Sequence, residues 1–330
     1  MLEKDDSVNN LVKIENASKF TQEKLEKLRT KLADVLSESD FKDEITIITT
    51  GSYGREEASA ESDLDLFILF DADEVVEHAI PDELAKITRV ITEDVPSDVG
   101  DTGTFGTDKV IKFSEMLQNI GGQNDDNMKL TRRMLFLLEG TWLYGEKRFN
   151  TYQKRLLEKY IKEDSPNGYL SKFFLNDIIR FYRTMATDFE YKVHEGNKEW
   201  GLRSTKLRFS RKLLYFGGII VVAEVAELSQ SKKIEKSKEL LQLPVLKRVR
   251  EISTEKAESE KILSIYEEFL ESISDPDIRQ KLQATRKDER SESEEYIKLR
   301  DLSREFSHAL ANWLKSRYSQ EHEIHHSLLF

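Results

Sequence analysis

The chain has 330 residues, of which 34% are charged and 38% hydrophobic, with a formal net charge of -11. That is length for two or three domains and a sizeable core, and the acidic balance excludes general nucleic-acid binding except through a local basic patch. The sequence contains no cysteine, which excludes disulfides, thiolate nucleophiles and cysteine-ligated zinc and fits a reducing compartment. The opening, MLEKDDSVNN, is acidic and lacks an apolar core, so no secretory signal is expected in it. The longest apolar run, Leu213 to Ala223, is too short to span a bilayer. The expectation is a soluble, cytoplasmic protein with no membrane partner.

In chain order, Leu25, Leu28, Leu32, Val35 and Leu36 recur at helical spacing and predict an amphipathic helix from about Thr21 to Ser37. Ile45 to Phe70 follows, ITIITTGSYGREEASAESDLDLFILF. It reads as two apolar β-prone runs flanking a Gly-Ser turn and a polar loop. Pro81 then opens a helix carrying Leu84, Ile87, Val90 and Ile91. Val95 to Phe105 is a candidate third strand, restricted to an edge or strand start by Pro96. Helices near Lys109 to Gln118 and Asp125 to Tyr144 complete an α/β unit. The cluster KEDSPNGY, Lys162 to Tyr169, breaks the pattern. Beyond it, long helices are expected over Leu170 to Val193, Lys206 to Leu228 and Glu255 to Ile273, with another from Asp275-Pro276-Asp277 to about Tyr318. The charge runs of that last helix read as solvated faces. The predicted fold is α+β, with an N-terminal domain over residues 1–164 built on a small mixed sheet with helices on one side. An all-helical domain over residues 165–330 follows.

Chemistry concentrates in the first apolar pair. Successive strand residues point to opposite faces, so Asp63 and Asp65 share one face and lie roughly 6–7 Å apart at Cα. Two such carboxylates repel unless a cation lies between them, and hard divalent cations take oxygen ligands. Gly51 lets backbone approach a phosphate closely, Ser52 offers a hydroxyl and an N–H, and Arg55 offers a charged fork. Glu56, Glu57 and Glu61 read as loop charges or Arg55 partners. A second signal lies at Gly201 to Ala223, which contains no acid while Arg203, Lys206, Arg208, Arg211 and Lys212 crowd together. Trp200, Phe209 and Tyr215 are interleaved, and Arg180 and Arg183 share a face of the preceding helix. These cations either line a cleft opposite the strands or pair with the acids of the distal helices.

The stretch Gly51-Ser52-Tyr53-Gly54-Arg55-Glu56-Glu57, followed by Ser62-Asp63-Leu64-Asp65, resembles the signature of DNA polymerase β-like nucleotidyltransferases. It is most similar to the catalytic domains of nitrogen-regulatory-protein uridylyltransferases and glutamine synthetase adenylyltransferases. The resemblance implies that Asp63 and Asp65 hold Mg²⁺ and that Gly51 and Ser52 anchor the phosphates of an NTP such as ATP; Arg55 by its charge, and Lys206 and Arg211 if the basic segment lines the cleft, are the candidates to support the phosphates. It also implies a third carboxylate that binds metal and activates the acceptor hydroxyl, for which Asp101 is the candidate and Asp98 the second. The activity implied is transfer of NMP from an NTP to a hydroxyl acceptor (a protein, an RNA end such as that of tRNA, or a small molecule) with release of pyrophosphate. No His-Asp doublet is present, so the phosphohydrolase unit of the uridylyltransferases is not expected. Two alternatives are a catalytically degenerate nucleotide-sensing or scaffold protein and a ribonuclease using Arg317 and His322, which are spaced as in HEPN ribonucleases.

Overall fold

The computed structural model describes residues 11–71, 80–95, 105–162, 168–195 and 199–329. The helix α1, Val12–Leu36, begins about two and a half turns before the predicted start. Its first N–H groups lack intrahelical acceptors, and Glu267 of a distal helix supplies them, accepting from Lys13 N at 2.6 Å and Ile14 N at 2.9 Å. Strands β1 (Ile45–Thr49) and β2 (Leu66–Phe70) then pair antiparallel, with Thr49 opposite Leu66 and Ile45 opposite Phe70. Both read as unbroken apolar or β-branched runs because both faces are covered. The edges are β4 (Thr141–Tyr144), antiparallel to β1, and β3 (Val110–Lys112), parallel to β2, giving the order β3-β2-β1-β4.

Helices cover both faces of this mixed sheet rather than one. Ile45, Ile47, Leu66, Ile68 and Phe70 pack with Leu28 and Leu32 of α1 and with Ile87 and Ile91 of α3 (Pro81–Asp94). The alternate residues Ile48, Phe67 and Leu69 pack with α4 (Phe113–Leu117), α5 (Asn127–Leu138) and α6 (Glu146–Tyr160). Between β1 and β2, Gly51–Gly54 forms one helical turn, α2.

Several elements depart from the sequence reading. Val110–Lys112 is a strand inside a predicted helix, too short to show a period of two. The predicted helix to Tyr144 ends at Leu138, where Glu139 leaves helical geometry at φ -143°, and the chain turns into β4 through Gly140, whose place a Cβ would spoil by meeting Phe136 O at 2.4 Å. Gly145 (φ +78°) then redirects it into α6, which the periodicity had not separated. The segment read as a third strand falls at residues 96–104, outside the described residues apart from its ends.

The helical half continues with α7 (Lys172–His194), α8 (Gly201–Lys206), a π-helical turn at Leu207–Arg211 and α9 (Lys212–Glu224). The remaining helices are α10 (Gln230–Gln242), α11 (Val245–Ile252), α12 (Lys256–Ser274), α13 (Pro276–Ala284), α14 (Glu294–Arg317) and α15 (Glu323–Ser327). The single helix expected from Asp275 to Tyr318 is therefore two. Asp275 caps the first by accepting from Asp277 N at 2.9 Å and Ile278 N at 3.0 Å, and Ser293 caps the second. The apolar stretch Leu213 to Ala223 is α9, buried all round, and one core cluster runs without a break from the sheet through α9 to α14.

Between α5, α6 and α7 lies a buried charge network. Arg133, whose side chain is 0% exposed, donates to both oxygens of Asp125 (3.0 and 2.9 Å), to Asp177 (3.0 Å) and to Tyr160 Oη (2.6 Å). Burial alone raises a carboxyl pKa, yet Arg133, the Gly121 N–H and Arg180 together hold Asp125 down at about 2. Removing one member strands the others. Arg133→Leu is expected to cost about 3–5 kcal/mol, read as a lowered thermal midpoint, whereas Arg180→Gln, with a side chain 36% exposed, costs far less. Equal shifts for the two variants would contradict this assignment.

Candidate active site

Asp63 and Asp65 lie just before β2, not within it, but the ladder reaches them: Thr50 N and Thr49 Oγ1 both donate to Asp65 O at 2.9 Å. Leu64 is buried in the core on one face, with Leu66, so the two aspartates share the other, as the alternation predicted. Asp63 is exposed and Asp65 partly buried. Burial, then the neighbouring charge of Asp63, pushes the Asp65 carboxyl up to about 6, with Arg211 only partly offsetting them.

The turn that precedes them is shaped around that carboxylate. Gly51 has φ +66°, and a Cβ there would stand 2.6 Å from Asp65 Oδ2. Glycine is required on both counts. The Gly51 N–H donates to Glu139 Oε1 at 2.9 Å, so it is already engaged. Arg55 is engaged too. Its Nε donates to Glu57 Oε2 at 2.9 Å and its Nη1 to Glu139 Oε2 at 2.6 Å, with side-chain exposures of 8%, 5% and 1% for Arg55, Glu57 and Glu139. Burial alone would lower the guanidinium pKa, but Glu57 and Glu139 together hold it well above its ordinary value. The expected reach of Arg55 to phosphate is thus replaced by a fork between two buried carboxylates. Ser52 lines the open cleft, and its hydroxyl has no hydrogen bond among the described residues.

That cleft has a volume of about 1570 Å³, with Gly51, Ser52, Asp63 and Asp65 on one side and Arg203, Lys206, Arg211 and Arg279 among its other lining residues. None of these four cations forms an ion pair among the described residues. The π-helical turn sorts the basic segment. Phe209 goes inward, stacking on Phe269 of α12 with ring centroids 4.4 Å apart, while Lys206 and Arg211 reach the cleft. Lys212 turns elsewhere, donating to Ser307 Oγ at 2.6 Å. Burial pushes the Lys206 ammonium down to about 8, Arg279 and Arg211 adding to the shift and Asp63 opposing it. The two readings of the basic set thus divide. Arg180 is taken up by Asp125 and Asp177, while Arg183, Arg203, Lys206 and Arg211 face the cleft.

Asp101 and Asp98 lie outside the described residues. Among the described residues no three Asp, Glu or His side chains converge on a single point. Arg317 Nη2 donates to both oxygens of Glu224 at 2.8 and 2.7 Å, and His322 accepts from Ile324 N at the start of α15. Both have structural partners. The sequence reading missed Glu139, Tyr266 and Arg279. Glu139 carried a signal, as an acid ending the apolar run Leu135 to Leu138 just before a glycine. Tyr266 and Arg279 sit in ordinary amphipathic helix sequence and carried none.

The family model for a nucleotidyltransferase domain matches residues 15–125, from α1 to the loop before α5. This part of the chain is therefore similar to nucleotidyltransferase domains, and the match takes in the Gly51 turn and both aspartates. No curated protein matches the chain.

The raised Asp65 carboxyl makes a pH prediction. Because its folded value exceeds its ordinary 3.8, the group supports the fold below that pH and loses this contribution as pH rises through about 6. In chelator-containing buffer, Asp65→Asn should therefore be more stable than the wild type at pH 8 by about 1–3 kcal/mol, with the advantage shrinking towards pH 5. Thermal melts across that range check it, and an advantage that does not change with pH would contradict it.

Proposed function

We propose that the chain is a metal-dependent nucleotidyltransferase that moves NMP from an NTP to a hydroxyl acceptor and releases pyrophosphate. The observation that carries this reading is the placement of Asp65 against the Cβ-less Gly51, beside Asp63, in a cleft whose other lining residues include Lys206, Arg211 and Arg279, cations without an ion pair among the described residues. The similarity of residues 15–125 to nucleotidyltransferase domains supports it.

The donor set suits a hard divalent cation. Asp63 and Asp65 are two carboxylates on one face, and their mutual repulsion is part of what raises Asp65. These two residues would hold Mg²⁺, with Asp101 as the third carboxylate of the reading. Bound Mg²⁺ supplies charge neutralisation at the phosphates and aligns attacking and leaving oxygens. The chain's own residues do the rest. Lys206, Arg211 and Arg279 bind the triphosphate and stabilise negative charge on the departing pyrophosphate. The Ser52 hydroxyl donates to a phosphate oxygen at the turn. Asp101 takes the proton of the acceptor hydroxyl as it attacks the α-phosphorus. Gly51 and Arg55 act by shaping the turn, since Gly51 N–H and the Arg55 fork already have partners.

In this reading residues 1–164 form the catalytic domain and residues 165–330 a helical domain that supplies the cationic wall. The spelling of the turn favours the uridylyltransferase and adenylyltransferase kind of catalytic domain. The acceptor class stays as broad as the sequence left it: protein, RNA end or small molecule. ATP is one fitting donor, and the cytoplasm is the fitting compartment for an NTP-consuming chain without cysteine. No described helix is long and apolar enough to cross a membrane.

Incubation with each α-labelled NTP, Mg²⁺ and a cell lysate is the test. The protein should transfer label, and the double variant Asp63→Asn with Asp65→Asn should lose at least about 100-fold of that rate, as expected when several kcal/mol of metal-borne stabilisation are removed. Undiminished transfer by a folded double variant contradicts the proposal. NTP binding without any labelled product would favour the nucleotide-sensing alternative.

A further inference from the structure

Six groups from four parts of the chain meet behind the nucleotide-facing turn. Tyr266 of α12, itself 0% exposed, donates its hydroxyl hydrogen to Glu57 Oε1 at 2.7 Å. Glu57 accepts from Arg55 Nε, Arg55 Nη1 donates to Glu139, and the other Glu139 oxygen accepts the Gly51 N–H. Ser210 Oγ, on the π-helical turn beside Arg211, lies 3.3 Å from the Tyr266 hydroxyl. The chain of contacts thus starts on the helical half, next to the residue that brings Arg211 to the cleft, and ends on the glycine against which Asp65 rests.

We propose that Tyr266 and Glu139 are positioning residues for this turn, acting on the bound nucleotide through the Arg55 fork and without touching it. This rests on the nucleotidyl-transfer reading of the cleft. The physical argument is the cost of displacement. Arg55, Glu57 and Glu139 are desolvated, so a shift of any one leaves a buried charge unpaired. Each guanidinium edge that faces an acid is matched to one carboxylate oxygen, and the remaining oxygens are taken by Tyr266 and Gly51. No slack is left in the series, so the position of α12 is transmitted to the Gly51 N–H. Gly51 transmits it further, since at φ +66° it lies so close to Asp65 that a Cβ there would stand 2.6 Å from Oδ2, and the preceding Thr50 N–H is bonded to Asp65 O. One strut thereby holds the metal-facing wall at a set distance from the cationic wall.

The strut differs from ordinary packing in one measurable way. Tyr266 and Glu139 are joined through Arg55 and Glu57, so their effects on nucleotide handling should not multiply. In the full-length protein with Mg²⁺, Tyr266→Phe and Glu139→Gln are each expected to raise KM for the preferred NTP about tenfold, the scale of one hydrogen bond to a charged group. The Tyr266→Phe change should lower kcat by less than about threefold, because the hydroxyl touches no reacting atom. The double variant should rise well short of the hundredfold product, to about 10–30-fold. The equilibrium Kd for a non-hydrolysable NTP analogue should follow the same pattern. Should Glu139→Gln not fold, Glu57→Gln with Tyr266→Phe runs the same cycle. Wild-type transfer with unchanged KM in both single variants, or with effects that multiply, overturns this inference and leaves the transfer reading standing. A wild-type protein that neither binds nor transfers NTP overturns both.

Discussion

The close approach of Gly51 to Asp65 is the constraint on which the N-terminal half depends. A Cβ at residue 51 would stand 2.6 Å from the Asp65 carboxylate, nearer than any side chain tolerates. Only glycine at positive φ lets a strand end, a helical turn and a second strand begin within such a small space. The ladder continues past β1 through Thr50 N and Asp65 O, so the backbone, and not a side-chain contact alone, brings the acid there. The cost is electrostatic: a partly buried carboxylate beside another, poised near pH 6. An acid so placed gains nothing for folding. Its energetics improve when a divalent cation lies between the pair.

The opposite wall carries the complementary strain. Lys206 is buried enough to fall to about 8 and faces Arg279 and Arg211, with no carboxylate in an ion pair with any of them among the described residues. Arg279 comes from α13, while Lys206 and Arg211 are set by the π-helical turn between α8 and α9. Such turns change the angular spacing of side chains within a helix, and here Phe209 is sent into the aromatic core while Lys206 and Arg211 face the cleft. Acids on one wall and bases on the other could neutralise each other in a narrower cleft. Across this cleft of about 1570 Å³ they form no ion pair among the described residues, although Arg211 and Asp65 feel each other's charge. The buried trio of Arg55, Glu57 and Glu139, which carries more desolvation cost than a hydrophobic replacement would, is one of the features that keeps them apart.

Much of this was legible from residue spelling. The Gly51-Ser52 turn, the shared face of Asp63 and Asp65 and the acid-free basic segment all come from local pattern, and local geometry preserves local pattern. The elements that escaped were those decided by tertiary context. Thr141 to Tyr144 follows a helical apolar run with one glycine between, and only pairing with β1 makes it a strand. Val110 to Lys112 is three residues beside β2. Arg55 shows the limit most clearly. Its place in the motif suggested a phosphate ligand, but its actual partners depend on Glu139, far along the chain, whose approach no spacing rule reveals. The helices α10 and α11 went unread in the sequence; in the fold, Arg248, buried and donating to the Leu138, Leu240, Leu241 and Leu243 carbonyls, closes the corner between them.

The central claim is that the cleft cleaves an NTP between its α- and β-phosphates and keeps the α-phosphorus. Parallel reactions with α-labelled and γ-labelled NTP, in Mg²⁺ and with a lysate as acceptor source, test it most directly. The account predicts that α-label appears on an acceptor while γ-label appears only in pyrophosphate. Transfer of γ-label to the acceptor, or its release as orthophosphate in step with turnover, would contradict it.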